Sequence, residues 1–149
     1  MLIALALTRP YWAASFPWSI KDTLLGTLVF IAAGAFADHF RVRVGDRVEL
    51  SASFLSDFLA AVLLGPLAGA VVAGAAIMSW WERGQLQRNL AYLSVFVLSG
   101  SVCGIVYLVV GGLFANRSGQ IGGIGLAVGG IAAGFAYQFV DYALSLIHI

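Results

Sequence analysis

The sequence predicts an all-α fold, a polytopic bundle of membrane helices, and three observations carry this prediction. Hydrophobic residues make up 61% of the 149 residues and charged residues only 10%, whereas about a quarter of a soluble domain is charged. The apolar residues form long segments separated by short polar loops. One segment, residues 51–81, would extend roughly 46 Å as a single helix, beyond a hydrocarbon core of about 30 Å. This segment must therefore bend, break or turn back.

Five apolar segments are expected to cross the membrane within a single integral membrane domain, residues 1–149. The predicted spans are 20–37, 51–64, 67–81, 90–110 and 121–146. Gly65-Pro66 separates the second from the third and is predicted to be a hinge, because proline lacks a backbone donor and crowds the preceding turn. The last segment has no polar exit, so we expect the chain to be incomplete.

Residues 40–50 contain the one strand-like pattern of the sequence. Apolar and charged residues alternate on both sides of Gly45-Asp46, which predicts a short extended or hairpin loop at the membrane surface. The aromatic ring of Trp18, just before the first span, favours the headgroup level at the other end of that span.

The orientation of the bundle depends on Gly65-Pro66. If residues 51–81 cross twice, the loops at 38–50 and 82–89 share one side with five arginines, against three basic residues on the other side. Short cytoplasmic loops are richer in Lys and Arg, so this side and the C-terminus are predicted to be cytoplasmic. If the segment crosses only once, the basic residues divide four against four and no orientation follows.

Composition and motifs exclude several classes of function. The net charge is +1 and no basic tract is interleaved with aromatic residues, so no nucleic-acid partner is expected. A single cysteine, Cys103, allows no disulfide or thiolate metal site within the chain and is predicted to be a packing residue. Asp38-His39 lacks the ligand number that metals require. Since no nucleophile has a nearby base, we expect no catalytic residues, no enzyme activity, no metal and no cofactor.

Asp57 is the first candidate for a ligand-binding or proton-linked site. A carboxylate inside a membrane span costs on the order of 3 kcal/mol and usually faces a cavity, a partner or the bundle interior. Ser53 lies four residues earlier, so the two side chains share a helix face. The alternative is that Asp57 lies close enough to the membrane surface to stay hydrated.

Asp141 and Gln138 form the second candidate of this kind. They are three residues apart in the last span and can line one helix surface. The alternative is that Asp141 simply lies near a helix end. Contact between Asp57 and Asp141 inside the bundle is possible, but one sequence does not predict it.

Glycines of the last span form two Gly-x-x-x-Gly patterns, which place small residues on one helix face and favour close helix contact. This face either packs within the chain or forms a homodimer with a second copy, and the lipid bilayer is the other expected partner. The residues concerned are Gly125, Gly129, Gly130 and Gly134.

Several short segments resemble a known family. They are Phe40-Arg41-Val42-Arg43-Val44, Val48-Glu49-Leu50-Ser51-Ala52-Ser53-Phe54, Leu63-Leu64-Gly65-Pro66-Leu67-Ala68-Gly69-Ala70 and Arg88-Asn89. Over residues 20–146 this pattern resembles the multispan N-terminal membrane region of bacterial signalling proteins with cytoplasmic HD-type phosphohydrolase or GGDEF diguanylate cyclase domains. The sequence has no HD pair and no GGDEF motif. The resemblance therefore implies a non-catalytic sensor or anchor module in the bacterial inner membrane, whose downstream cytoplasmic signalling domain is absent here.

A second resemblance implies a different function. The residues from Ser51 to Phe58, followed by the Gly65-Pro66 region, are similar to the substrate-binding membrane subunit of energy-coupling-factor vitamin importers. This resemblance implies transport of a vitamin or another small molecule, with ATP hydrolysis supplied by partner subunits. Five spans fall short of the six typical of that family. A structural membrane subunit that serves assembly is a third interpretation.

Overall fold

A computed structural model of the chain describes residues 18–40, 42–44, 48–50, 53–81, 84–114 and 121–148. It contains five α-helices, as predicted, and two short strands in these ranges. In chain order they are α1 (Ile20–His39), β1 (Val42–Val44), β2 (Val48–Leu50), α2 (Ser53–Leu64), α3 (Pro66–Ala76), α4 (Leu86–Gly112) and α5 (Gly123–His148). A short 3₁₀ helix, Ile77–Trp80, continues α3.

The start of α1 is fixed by a capping box. Asp22 N–H donates to Ser19 Oγ at 3.2 Å, and Ser19 N–H donates to Asp22 Oδ2 at the same distance. Each bond satisfies a backbone donor that the first turn of a helix leaves unpaired. The sequence signal for this helix start is therefore Ser19 followed three residues later by an acid.

The strand-like pattern at residues 40–50 forms a small antiparallel pair. Val42 lies opposite Leu50, and Val44 lies opposite Val48. The predicted extended loop is thus confirmed in its two arms, while the residues between them, 45–47, lie outside the described part of the chain.

The chain reverses direction at Gly65-Pro66. Gly65 has φ of 102°, which glycine adopts without strain, and Pro66 is the first residue of α3. A Cβ atom on Gly69 would lie 2.5 Å from Cβ of Ala61, so positions before and after the turn face each other. Helices α2 and α3 therefore form the two arms of a helical hairpin.

The arms of this hairpin are short. They contain 12 and 11 residues, which corresponds to roughly 18 and 17 Å against a hydrocarbon core of about 30 Å. Three helices of the described chain, α1, α4 and α5, are long and apolar enough to cross a membrane. The hairpin has the dimensions of a re-entrant element, which enters the bundle and leaves at the same end.

Glycines bring the hairpin and α4 into backbone contact. A Cβ atom on Gly100 would lie 2.6 Å from the carbonyl oxygen of Gly69, and one on Gly104 would lie 2.5 Å from Cα of Pro66. Gly104 lies about two-thirds of the way along α4, a helix of roughly 40 Å. The turn of the hairpin therefore lies about two-thirds of the way across the bundle.

The bundle has polar residues inside and apolar residues outside. Among the residues that the structure describes, seven polar side chains are buried, namely Asp38, Ser53, Ser56, Asp57, Asn89, Ser99 and Ser101. Large apolar side chains on α1 and α5 are exposed, among them Leu24, Leu25, Leu28, Ile131, Phe135 and Phe139. Such a distribution suits hydrocarbon as the surrounding solvent. Together with the three long apolar helices, it identifies a helical membrane protein.

Candidate functional site

The buried carboxylate of Asp57 is bound by a tyrosine from the last helix. Tyr137 O–H donates to Asp57 Oδ2 at 3.0 Å. The side chain of Asp57 is fully enclosed, with 0% of its surface exposed, and Tyr137 is 3% exposed. Tyr137 lies near the middle of α5. Asp57 is therefore an interior residue, and the alternative of a carboxylate hydrated at the membrane surface does not describe this geometry.

The sequence of α2 explains why Asp57 points inward. Ser53, Ser56 and Asp57 are buried, as are Ala60 and Ala61 one turn later. These positions share a helix face by their three- and four-residue spacing, while Phe54 and Leu55 on the other face are exposed. As predicted, Ser53 and Asp57 lie on one face, and that face points into the bundle.

Helix α4 completes the wall around the Asp57–Tyr137 pair. Cys103 is fully buried and Tyr107 is 3% exposed, and both belong to one core cluster with Ala61, Ala133 and Tyr137. The small side chain of Ala61 leaves room for these larger groups from α4 and α5. Cys103 thus packs in the interior, and its neighbours include a carboxylate as well as apolar groups.

One oxygen of the Asp57 carboxyl has no hydrogen-bond partner within the described part of the chain. Oδ2 accepts from Tyr137, whereas Oδ1 is buried and unpaired. The charged side chain that acts on Asp57 electrostatically is another acid, Asp38 of α1. A buried carboxylate normally has a cation or several donors beside it. Oδ1 of Asp57 can therefore still accept a hydrogen bond, bind a proton or contact a cation.

An apolar groove of about 320 Å³ lies beside this pair, between α2 and α5. Tyr137 and Gln138 lie in its wall with aromatic residues of both helices. The remaining wall residues are Phe54, Phe58, Gly130, Ile131, Gly134 and Phe135. Gln138 is exposed, so it lies at the groove and not in the interior with Asp57.

Asp141 lies one turn beyond Tyr137 on α5 and is half-buried. It acts electrostatically on Tyr137, whereas the hydrogen bond to Asp57 comes from Tyr137 itself. Asp141 and Gln138 therefore flank the residue that contacts Asp57. Their assignment to a ligand or proton site stays a prediction.

The four glycines singled out on α5 divide into two pairs. Cβ atoms on Gly125 and Gly129 would lie 2.8 Å from the Gly111 carbonyl oxygen and 3.0 Å from Gly111 Cα, respectively, so this pair packs on α4. Gly130 has open space beside it, and Gly134 faces Phe58 across the groove. The first pattern serves packing within the chain, and the second forms the floor of the groove.

A tryptophan at the start of α1 is bound to the turn of the hairpin. Trp18 Nε1–H donates to the carbonyl oxygen of Leu63 at 2.9 Å. Leu63 belongs to the last turn of α2, where carbonyl groups lack partners within the helix. Trp18 therefore satisfies a backbone acceptor that the break at Gly65-Pro66 leaves free.

Two residues of this arrangement were not assigned their roles from the sequence. Tyr137 is not among the site residues that the sequence predicts, and Trp18 is predicted only to favour the headgroup level. A tyrosine among apolar residues in the middle of a span was the available signal for the first, since a buried phenol usually finds a partner. Within the described residues no group of three or more His, Cys, Asp or Glu side chains is placed to hold a metal ion.

Comparison with protein-family models, with curated proteins and with solved structures finds no significant match to this chain. The fold and the site define its class as a helical membrane protein with a re-entrant hairpin and a buried acid.

Proposed function

We propose that the chain is the non-catalytic sensor module of a bacterial signalling protein of the inner membrane. The observation that carries the proposal is the hydrogen bond from Tyr137 to Asp57. It joins the re-entrant hairpin to α5, the last helix of the chain. In this proposal, a signal that alters the Asp57 site also alters the packing of α5. The shift of α5 is then transmitted to a domain that follows it.

The sequence resemblance supplies the nature of that domain. The membrane regions that the chain resembles precede HD-type phosphohydrolase or GGDEF diguanylate cyclase domains. In this proposal, α5 leads to an output domain of that kind in the cytoplasm. The five arginines within residues 38–50 and 82–89 of the sequence support a cytoplasmic location of the C-terminus.

A substrate-binding subunit of a small-molecule importer is the second candidate. The groove between α2 and α5 favours it, because its volume of about 320 Å³ lies within the range of small-molecule sites. An interrupted helix beside such a groove is also a common feature of transporter sites.

The coding sequence beyond Ile149 distinguishes the two candidates. An in-frame HD or GGDEF domain supports the sensor, whereas one further membrane span followed by a stop codon supports the importer. The full-length product then provides a functional test with Tyr137→Phe. In a sensor this variant changes the rate at which the output domain makes or cleaves its cyclic dinucleotide. An unchanged rate across signalling conditions contradicts the proposed coupling through Tyr137.

A further inference from the structure

Among the described residues, no basic side chain lies beside Asp57 to balance a carboxylate. In the described part of the chain, the titratable groups that face it come from three helices. They are Asp38 of α1, Cys103 of α4 and Tyr137 of α5, while Tyr107 of α4 lies in one cluster with Tyr137, and Asp141 of α5 acts on Tyr137. Helix α3, which packs on α2, carries no titratable residue. None of these described neighbours is basic, so they supply no positive charge to balance a negative charge on Asp57.

The size of the site restricts what can balance this charge. Asp57 is fully enclosed, and the groove next to it is bounded by Tyr137 and does not include Asp57 in its wall. An organic cation that enters the groove is therefore separated from the carboxyl by the tyrosine ring. A metal cation needs several oxygen ligands, whereas the core cluster offers the phenols of Tyr107 and Tyr137 beside apolar groups and a thiol.

We propose that Asp57 is a proton-binding site, and that its proton controls how firmly the re-entrant hairpin holds α5. In the acid form a proton is bound at Oδ1, the oxygen without a partner, while Oδ2 keeps its hydrogen bond from Tyr137. A new O–H bond forms at Oδ1, and an O–H bond of a hydronium ion breaks and leaves water. The reverse step returns the proton to water. Tyr137 keeps its own proton throughout.

A line of buried polar groups connects Asp57 with one end of the bundle. Ser53 and Ser56 occupy the same face of α2 as Asp57, and they lie nearer to the start of the helix. Asp38 is buried in the last turn of α1, at the same end, since Gly34 of α1 faces Ser56. In this proposal, protons reach Asp57 from the end of the bundle that carries the two strands, along the side on which these polar residues are buried.

This inference rests on the proposed sensor function, because it identifies the proton as the signal that the sensor detects. When Asp57 is neutral, the hairpin and α5 stay packed. When it ionises, the buried charge draws in water and the contact with α5 loosens. Cys103 provides a reporter of this opening, because it is the single cysteine of the chain, is fully buried, and lies in the same cluster as Tyr137.

The test compares alkylation of Cys103 by a small maleimide in the purified chain and in Asp57→Asn, which is permanently neutral. The two rates are measured at the same pH, between about 5.5 and 8.5, so their ratio cancels the pH dependence of the reagent and the part of the thiol titration that both proteins share. We expect a ratio near one at acid pH and an increase of about tenfold or more at alkaline pH. A negative Asp57 disfavours a neighbouring thiolate, so this direct effect opposes the expected increase and cannot mimic it.

A second measurement needs no variant. In the wild-type chain with ¹³C-labelled aspartate, the infrared spectrum is expected to contain a protonated-carboxyl band that persists above about pH 6, where exposed aspartates have ionised. A rate ratio that stays flat over the whole pH range, or the absence of this band, overturns the proton site. Either result leaves the sensor function to be judged by the domain encoded beyond Ile149.

Discussion

Tyr137 lies 80 residues from Asp57 in the chain, yet it supplies the hydrogen bond to the buried carboxyl. The sequence predicted that Asp57 and Ser53 share a face, because the spacing within one helix is fixed. It could not predict the partner on α5, since that depends on the rotation and depth of a helix packed from far along the chain. For this reason Asp141 and Gln138 were singled out, although the contacting residue is adjacent to Gln138.

The first prediction concerns the phenol of Tyr137. Tyr137→Phe keeps the ring and removes the donor, so Oδ2 of Asp57 loses its partner and joins Oδ1 in being unpaired among the described residues. We expect a loss of about 1–3 kcal/mol in unfolding free energy, the cost of an unsatisfied buried polar group. Thermal or denaturant unfolding in mild detergent measures it.

Tyr142→Phe is the matched control for this variant. Tyr142 lies on the same helix and is 67% exposed, so its loss of a hydroxyl is expected to change stability by less than about 0.5 kcal/mol. Equal effects of the two substitutions contradict a specific role for the Tyr137 bond.

At the scale of elements, the sequence predicted the break at Gly65-Pro66 and favoured a reversal there, but it left a single crossing open as the alternative. Proline ends a helix wherever it occurs in the interior of an apolar run, but the same dipeptide permits a kink as well as a hairpin. The choice is made by packing, since Gly69 meets Ala61 and Gly104 meets Pro66 at distances that exclude any side chain. These are contacts between different elements, which one helix's sequence does not specify.

Gly104→Ala tests the backbone contact between α4 and the hairpin. The added methyl group would lie 2.5 Å from Cα of Pro66, an atom that cannot move away alone. We expect a loss of about 1–3 kcal/mol in unfolding free energy, as for other overpacked interiors. Gly112→Ala on the same helix is the control, because its Cβ meets no atom within 4 Å. If Gly112→Ala destabilises as much, helix contact at Gly104 is not the cause.

Trp18→Phe tests the bond that caps the end of α2. The variant keeps an aromatic ring and removes the N–H that donates to Leu63. We expect a loss of about 1 kcal/mol, with faster hydrogen exchange of amides in the turn region. Trp81→Phe, at the opposite end of the hairpin, is expected to leave exchange in the turn unchanged. An unchanged exchange rate in Trp18→Phe excludes this capping role.

At the scale of the whole molecule, composition predicted a membrane protein. A chain with 61% hydrophobic residues has too few polar residues to cover its surface, so apolar helices in lipid followed from composition, and their number from the division of the sequence into apolar segments. The depth of the hairpin did not follow, because residues 51–81 contain enough residues for two longer arms. Contacts with α1 and α4 determine where the turn stops.

The arrangement of the helices yields a topology that can be measured. The hairpin returns to the end at which it enters, so the starts of α1 and α4 lie at opposite ends of the bundle. From the distribution of basic residues we expect Gln87 on the cytoplasmic side and Ser19 on the outer side.

Single cysteines test this orientation in a Cys103→Ala background. In intact cells, an impermeant maleimide is expected to label Ser19→Cys and to spare Gln87→Cys until the membrane is opened. Labelling in the reverse order contradicts the cytoplasmic assignment of the strand end.

The distance along the chain between Asp57 and Tyr137 also sets an order of events during synthesis. Ribosomes add about 5–20 residues per second, so the phenol arrives roughly 4–16 s after the carboxyl with which it pairs, 80 residues earlier. The hairpin enters the bilayer before its partner helix exists. Docking of α5 is therefore the step that completes the interior. A nascent chain that stops before this helix still contains the Asp57 carboxyl without its hydrogen bond from Tyr137.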